Sequence, residues 1–167
     1  MVAGPAFWAG PGGQALILKF DGGPTSTTLA DWLAATLPNL FGAAAGAFNL
    51  TGLSNGKVAL FFQGLRHQRL RKVEADVLAA ALSIYATTPT LGGRTGRRFG
   101  FHVSAPGLGP LWVNVGRSGS AFGVANHSRL SVWQVLQAID ARARLATAYP
   151  GDHALQHQAE RVLDTLL

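Results

Sequence analysis

Apolar residues recur at helical spacing most clearly between Val73 and Thr87, where the sequence is VEADVLAAALSIYAT. Such a helix would carry two neighbouring apolar stripes: Val73, Val77, Ala80, Ala81 and Ile84 on one, and Leu78, Leu82 and Tyr85 on the other. A helix that is apolar on two sides must be covered from two sides. The segment therefore predicts a central, buried helix on which the other elements pack.

Weaker amphipathic patterns predict about five further helices around this one. The predicted segments are Gln14–Phe20, Thr25–Leu37, Ser54–Leu70, Ser131–Ala148 and a last helix that follows Asp152. Gln14–Phe20 is short enough to be a strand or a helix, and we favour a helix because the turn sequence Asp-Gly-Gly-Pro ends it. Ser131 and Gln134 have the spacing of a capping box, and Ser54 and Asp152 suit N-cap positions.

The pattern changes after Gly93. Phe99–Ala105 and Leu111–Val115 alternate apolar and polar residues, and Ser120–Ala125 is a further apolar run. The prolines and glycines of residues 106–110 permit a hairpin between the first two segments. We therefore expect a small antiparallel hairpin or three-stranded sheet within residues 99–125, leaning on the helices because so few strands are not stable alone.

Length and composition predict one globular domain covering residues 1–167. The chain has 167 residues, of which 48% are hydrophobic and only 13% charged, so it can form a substantial core. Residues 1–13 are rich in glycine and predict an irregular lead-in, with Phe7 and Trp8 as its anchors. The expected fold class is α+β and mainly helical. Apolar runs such as Val58–Phe62 are too short to cross a bilayer, so we expect no membrane insertion.

Cysteine is absent from the sequence. This excludes a disulfide framework, a thiolate metal site and a cysteine nucleophile. The N-terminal sequence MVAGP lacks the basic and apolar regions of a signal peptide. Two locations are compatible with these observations: the cytoplasm, or the outside of the cell as part of a longer secreted chain, in which case Met1 would not be native.

Positive charge is concentrated in one part of the sequence. The net charge is +6, and seven of the fourteen Lys and Arg residues fall between Arg66 and Arg98. The arginines that form the candidate polyanion-binding site are Arg66, Arg69, Arg71, Arg94, Arg97 and Arg98. A solvated surface is the alternative that we favour, because cations near a helix C-terminus are stabilised by the dipole. The sequence contains no helix-turn-helix, zinc-finger or RNA-binding signature.

Three patterns resemble metal or catalytic sites without completing them. His153 and His157 have the spacing of two metal ligands on a helix, but no third ligand is evident. Gly116–Ser120 approaches a nucleophile elbow, although a serine stands where the last glycine belongs. Glu74 and Asp76 would point to different sides of the central helix, where both suit its N-terminal turn. We therefore predict no catalytic residues, no metal and no cofactor, and we keep a hydrolase as an alternative.

Several stretches taken together resemble a known module. They are Phe7 and Trp8 with residues 13–17, then Thr25–Gly42, Val73–Gly93, Phe99–Gly109, Val113–Asn126 and Val132–Ala143. In that order they resemble an uncharacterised module at the C-terminal end of large, repeat-rich, secreted planctomycete proteins. The resemblance runs along nearly the whole chain and implies no activity and no site residues. The module is polar and asparagine-rich where this chain has RHQRLRK and GRTGRR, so the basic cluster is particular to this chain.

The resemblance implies a secreted or cell-surface setting within a longer chain. Our leading hypothesis is therefore a non-catalytic structural or interaction module, whose partners would be other domains of the parent chain or acidic polymers of the cell envelope. The alternative is a polyanion-binding module, for acidic polysaccharide or nucleic acid, that uses the six arginines.

Overall fold

A computed structural model describes residues 2–167. The helices are α1 (Pro5–Ala9), α2 (Pro11–Ile17), α3 (Thr28–Thr36), α4 (Asn55–Arg66), α5 (Lys72–Thr87), α6 (Pro89–Gly92), α7 (Gly119–Phe122), α8 (Val132–Ala141) and α9 (His153–Leu166). The strands are β1 (Trp112–Asn114), β2 (Arg129–Ser131), β3 (Ala143–Arg144) and β4 (Thr147–Ala148). They form two antiparallel two-stranded sheets, β1 with β2 and β3 with β4. The fold class, mainly helical α+β, is confirmed.

The predicted central helix is α5. Every residue from Val73 to Thr87 is buried, because α4, α8 and α9 pack around the helix and α1 also contacts it. Two of its buried hydroxyl groups bond to the backbone of the same helix: the hydroxyl of Ser83 donates to the carbonyl of Ala79 at 2.9 Å, and that of Thr87 donates to the carbonyl of Ser83 at 2.8 Å. The two apolar stripes of the sequence therefore predicted this central, buried helix correctly.

The prediction of an irregular lead-in over residues 1–13 is wrong for the part that the structure describes, and Met1 lies outside that part. Pro5 and Pro11 each stand at the start of a short helix, where a residue without an N–H loses no hydrogen bond. Trp8 is fully buried and its Nε1 donates to the carbonyl of Ala3 at 3.0 Å, so this side chain is the anchor that the sequence predicts. The helix that we favoured over Gln14–Phe20 forms, but it begins at Pro11 and ends at Ile17.

The strands do not lie where the alternation placed them. β1 forms inside Leu111–Val115 as predicted, but its partner is β2, with Trp112 opposite Ser131. Phe99–Ala105 is not a strand: it leaves a 3₁₀ helix, Thr95–Phe99, and continues as irregular chain. Its alternation arises because Phe101 packs against Trp8, with 5.6 Å between ring centroids, while its neighbours face solvent. The third predicted strand, Ser120–Ala125, is wrong as well, since half of it, residues 120–122, belongs to α7.

The predicted helix Ser131–Ala148 stops early, at Ala141, and the rest of it becomes the β3–β4 hairpin. Leu145 and Ala146 form the turn with φ of 46° and 61°, a left-handed conformation that ends any helix. The capping box of Ser131 and Gln134 is present, as predicted. Asp152 caps α9, also as predicted, by accepting the N–H of Leu155 at 3.0 Å.

Asp140, at the end of α8, joins two distant parts of the chain. Its buried Oδ1 accepts the N–H of Asn39 at 3.1 Å and the N–H of Leu40 at 2.9 Å, just after α3. Burial raises the pKa of Asp140, although these two hydrogen bonds act in the opposite direction.

Among residues 2–167, no helix combines the length and the apolar character that crossing a bilayer requires.

Candidate anion-binding site

The six arginines of the predicted cluster fall into two groups, at opposite ends of α5. Arg66 ends α4, and Arg69 and Arg71 belong to the 3₁₀ helix directly before α5. Arg94, Arg97 and Arg98 follow α6 at the other end. Helix α5 has 16 residues, so the two groups are separated by a helix about 24 Å long at 1.5 Å per residue. The structure therefore does not gather the six arginines into one patch.

Arg71, in the group before α5, is occupied by contacts within the protein. Its Nη1 donates to the carbonyl of Ala146 and to the hydroxyl of Thr147, both at 2.8 Å. The guanidinium also lies over the ring of Phe48, 5.0 Å from the centroid, and 3.6 Å from a carboxylate oxygen of Glu74. These contacts fix the β3–β4 hairpin against α5, so Arg71 has a structural role.

Buried carboxylates lie beside this first group. Glu74 accepts the N–H of Ala148 at 2.8 Å, and Lys72 donates to Asp76 at 3.0 Å and to Asp164 at 2.7 Å. Burial raises the pKa of both Glu74 and Asp76. The hydrogen bond from Ala148 to Glu74 and the one from Lys72 to Asp76 act in the opposite direction and lower these pKa values. Glu74 and Asp76 thus have different partners, as their spacing predicted.

Arg66 and Arg69 are the exposed arginines of the first group. Neither forms an ion pair within residues 2–167. They line a cleft of about 450 Å³, but Asp76 and Asp164 line the same cleft. The 3₁₀ helix Arg69–Arg71 also carries Leu70, which is 96% exposed. This end of α5 therefore presents mixed charge, which weakens its attraction for an anion.

The second group forms a different kind of cleft, which we call the basic pocket. Its lining residues are Lys19, Arg94, Thr95 and Arg98, and its volume is about 490 Å³. Within residues 2–167, no acidic side chain lines it. The Nζ of Lys19 lies 5.4 Å from the ring centroid of Phe99, a cation–π contact that orients the ammonium group.

Two features adjoin the basic pocket: the hydrogen bond of Tyr85 to Asp21, which does not itself line the pocket, and the close contact of Gly96 with α5. Asp21, the acid closest to Lys19 in sequence, accepts a hydrogen bond from the hydroxyl of Tyr85. Burial of Tyr85, together with this bond, raises the pKa of the phenol. Gly96 lies so close to α5 that a Cβ atom there would stand 2.3 Å from the carbonyl oxygen of Ala86. This close approach seats the 3₁₀ helix that carries Arg98.

Arg97 is not part of the basic pocket, since its Nη2 donates to the carbonyl of Val103 at 3.3 Å. Lys19 was not among the predicted binding residues, because it lies 75 positions before Arg94 in the sequence. No short-range sequence pattern connects two residues so far apart. Lys19 and Arg94 line the same cleft because α2 packs against the 3₁₀ helix Thr95–Phe99.

The incomplete metal and hydrolase patterns stay incomplete. His153 and His157 are exposed, and each contacts a residue three positions further along α9, Gln156 and Glu160. In the described part of the chain, no three His, Asp or Glu side chains gather as a metal site would require. The hydroxyl groups in Gly116–Ser120 form no hydrogen bond with a histidine side chain within residues 2–167.

Comparison of the chain with family profiles, with curated proteins and with solved structures finds no match. The resemblance to the secreted planctomycete module therefore stays a prediction.

Proposed function

We propose that this protein is a non-catalytic interaction module that binds acidic polysaccharides through the basic pocket. The observation that carries the proposal is the convergence of Lys19, Arg94 and Arg98 on one cleft whose lining, as far as the structure describes the chain, contains no acid. We place the module in a secreted or cell-surface protein, on the strength of the resemblance.

The chemistry of the pocket suits sulfate and carboxylate groups. A guanidinium presents paired N–H donors that match two oxygens of such a group, and an ammonium adds a compact charge. Each contact at an exposed site is modest and is screened by salt. A polymer that repeats its anionic group compensates for this, since rebinding at a high local concentration raises the apparent affinity.

The test is binding of the purified protein to heparin and to polygalacturonate, titrated with salt. We expect Arg94→Ala/Arg98→Ala to weaken binding about tenfold or more, because two charge-assisted contacts are lost. The slope of log affinity against log salt should fall by about two. Lys57→Ala/Arg144→Ala is the matched control, because it removes two exposed charges that lie outside the basic pocket.

Three outcomes would contradict the proposal. Equal losses in both double variants would make the effect one of net charge alone. Binding of single-stranded DNA but of neither polysaccharide would assign the pocket to nucleic acid. Absence of binding to all three polymers would favour a purely structural module, the other form of the leading hypothesis.

A further inference from the structure

In the described part of the chain, a second cleft without acidic lining residues lies between β1 and α9. Its volume is about 450 Å³, and its lining includes Arg117 and Arg161. Both arginines are exposed, and neither forms an ion pair within residues 2–167. Two guanidinium groups at one cleft repel each other unless an anion separates them. The site is independent of the basic pocket, with which it shares no residue.

Polar groups that can donate hydrogen bonds complete the lining. Asn114 lines the cleft, and its Oδ1 accepts the N–H of Gly116 at 2.8 Å, which leaves its Nδ2 as a donor for a ligand. Ser118 also lines the cleft although it is only 3% exposed, and its hydroxyl forms no hydrogen bond within the described chain. Because this hydroxyl has no protein partner within the described residues, it can donate a hydrogen bond to a ligand oxygen.

An exposed indole lies next to this cleft. Trp112 is 62% exposed and stands two residues before Asn114 in β1, on the same face of the strand, since Val113 between them is buried. At about 3.4 Å per residue, the two positions are about 7 Å apart. Pairing of β1 with β2 holds this face in a fixed register, with Arg129 opposite Asn114.

We propose that Trp112 and the adjoining cleft form a binding subsite for an acidic sugar residue. The pyranose ring stacks on the indole, where its C–H groups meet the negative face of the π-system. The carboxylate or sulfate of the sugar enters the cleft and binds Arg117 and Arg161, and Asn114 and Ser118 hydrogen-bond its hydroxyl groups.

The surroundings of Trp112 favour a saccharide over a single-stranded nucleic acid. Nucleic-acid channels stack successive bases on several aromatic side chains. Within residues 2–167, Trp112 is the only aromatic residue among the large hydrophobic side chains that are exposed. One isolated platform beside one anionic subsite fits one charged sugar of a longer chain.

This inference rests on the proposed function for its class of ligand, but on different residues. The experiment is calorimetric titration of the protein with a heparin-derived hexasaccharide and with a galacturonate hexamer. We expect Trp112→Ala to weaken binding of at least one oligosaccharide by about tenfold, the usual effect of losing one stacking contact. Arg117→Ala/Arg161→Ala should weaken binding by about tenfold or more, because two charge-assisted contacts are lost. Trp112→Phe should restore part of the loss, because it keeps an aromatic face.

Matched controls separate the subsite from general effects. Leu111→Ala removes a neighbouring side chain that is 56% exposed, and should leave affinity unchanged. Lys57→Ala/Arg144→Ala removes two charges outside both clefts and should change affinity less than twofold. Trp112, Arg117 and Arg161 are exposed, so their variants should unfold at the wild-type temperature.

Each remaining result has one meaning. Equal losses in Leu111→Ala and Trp112→Ala, or wild-type affinity in both subsite variants, would overturn the inference. If Arg94→Ala/Arg98→Ala alone abolished oligosaccharide binding, the basic pocket would stand and this subsite would fail. The opposite pattern would support the subsite and refute the basic pocket. Tighter binding of a single-stranded oligonucleotide, lost in Trp112→Ala, would also refute the assignment to sugar.

Discussion

Replacing Asp140 tests how the two halves of the chain are held together. The carboxylate is buried and a single oxygen, Oδ1, accepts both main-chain N–H groups after α3. Asp140→Ala leaves those donors without an acceptor, whereas Asp140→Asn still offers an oxygen in the same place. The two variants therefore separate the effect of the acceptor from the effect of the charge.

The structure indicates the size of the difference. The N–H of Leu40 is buried, and leaving such a group unsatisfied costs about 1–3 kcal/mol. The N–H of Asn39 is partly buried, so its loss costs less. We expect Asp140→Ala to lower the free energy of unfolding by about 2–4 kcal/mol. Asp140→Asn should change it by less than about 1 kcal/mol, because a weaker hydrogen bond is offset by removing a buried charge.

The pH dependence gives a second observable. Because burial raises the pKa of Asp140 in the folded state, the folded protein binds its proton more tightly than the unfolded chain does. The resulting stabilisation is complete below the unfolded pKa of about 4 and is lost as pH rises through the raised value. The advantage of wild type over Asp140→Asn should therefore shrink with rising pH across that window.

Urea unfolding at several pH values measures both effects. Equal destabilisation by the alanine and asparagine variants at neutral pH would show that charge rather than the acceptor holds the junction. A loss below about 0.5 kcal/mol in Asp140→Ala would refute the reasoning altogether, since that is the range of ordinary surface substitutions.

Two further predictions concern backbone positions near the site and the start of α8. Gly96→Ala forces a Cβ against the carbonyl of Ala86, so it should lower the stability of the folded protein by about 1–3 kcal/mol, measured by thermal unfolding, and weaken heparin binding. Gly64 lies in open space within α4, so Gly64→Ala should instead raise the stability of the folded protein by about 0.5–1 kcal/mol. Losses of equal size in both variants would refute the close-approach argument. Ser131→Ala removes the acceptor of the Gln134 N–H and should lower urea stability by about 1 kcal/mol; an unchanged midpoint would contradict a working cap.

Features that depend on neighbours in sequence were predictable. The central helix was predicted as Val73–Thr87 and observed as Lys72–Thr87, because its two apolar stripes depend only on residues three and four positions apart. The caps at Ser54, Ser131 and Asp152 are likewise short-range hydrogen bonds, and all three are present. The fold class followed from the same periodicities.

Pairing and packing at long range were not predictable from these patterns. Phe99–Ala105 shows the alternation of a strand, but the burial of Phe101 comes from contact with α1 rather than from a neighbouring strand. The partner of β1 is β2, which carried no strand signal of its own. A three-residue strand is set by its partner across the sheet, and that partner is defined only when the helices have packed.

The candidate binding surface also combines a feature that the sequence predicted with features that depend on the tertiary structure. The sequence by itself determined that cations concentrate between Arg66 and Arg98, since this is a count along the chain. Only the tertiary structure decided which of these cations share a cleft. It separates the two groups of arginines by the length of α5, and it engages Arg71 and Arg97 in hydrogen bonds within the protein. It also places Lys19 in the same cleft as Arg94 and Arg98. The physical reason is that electrostatic interactions depend on distance through space, and packing of the helices sets that distance.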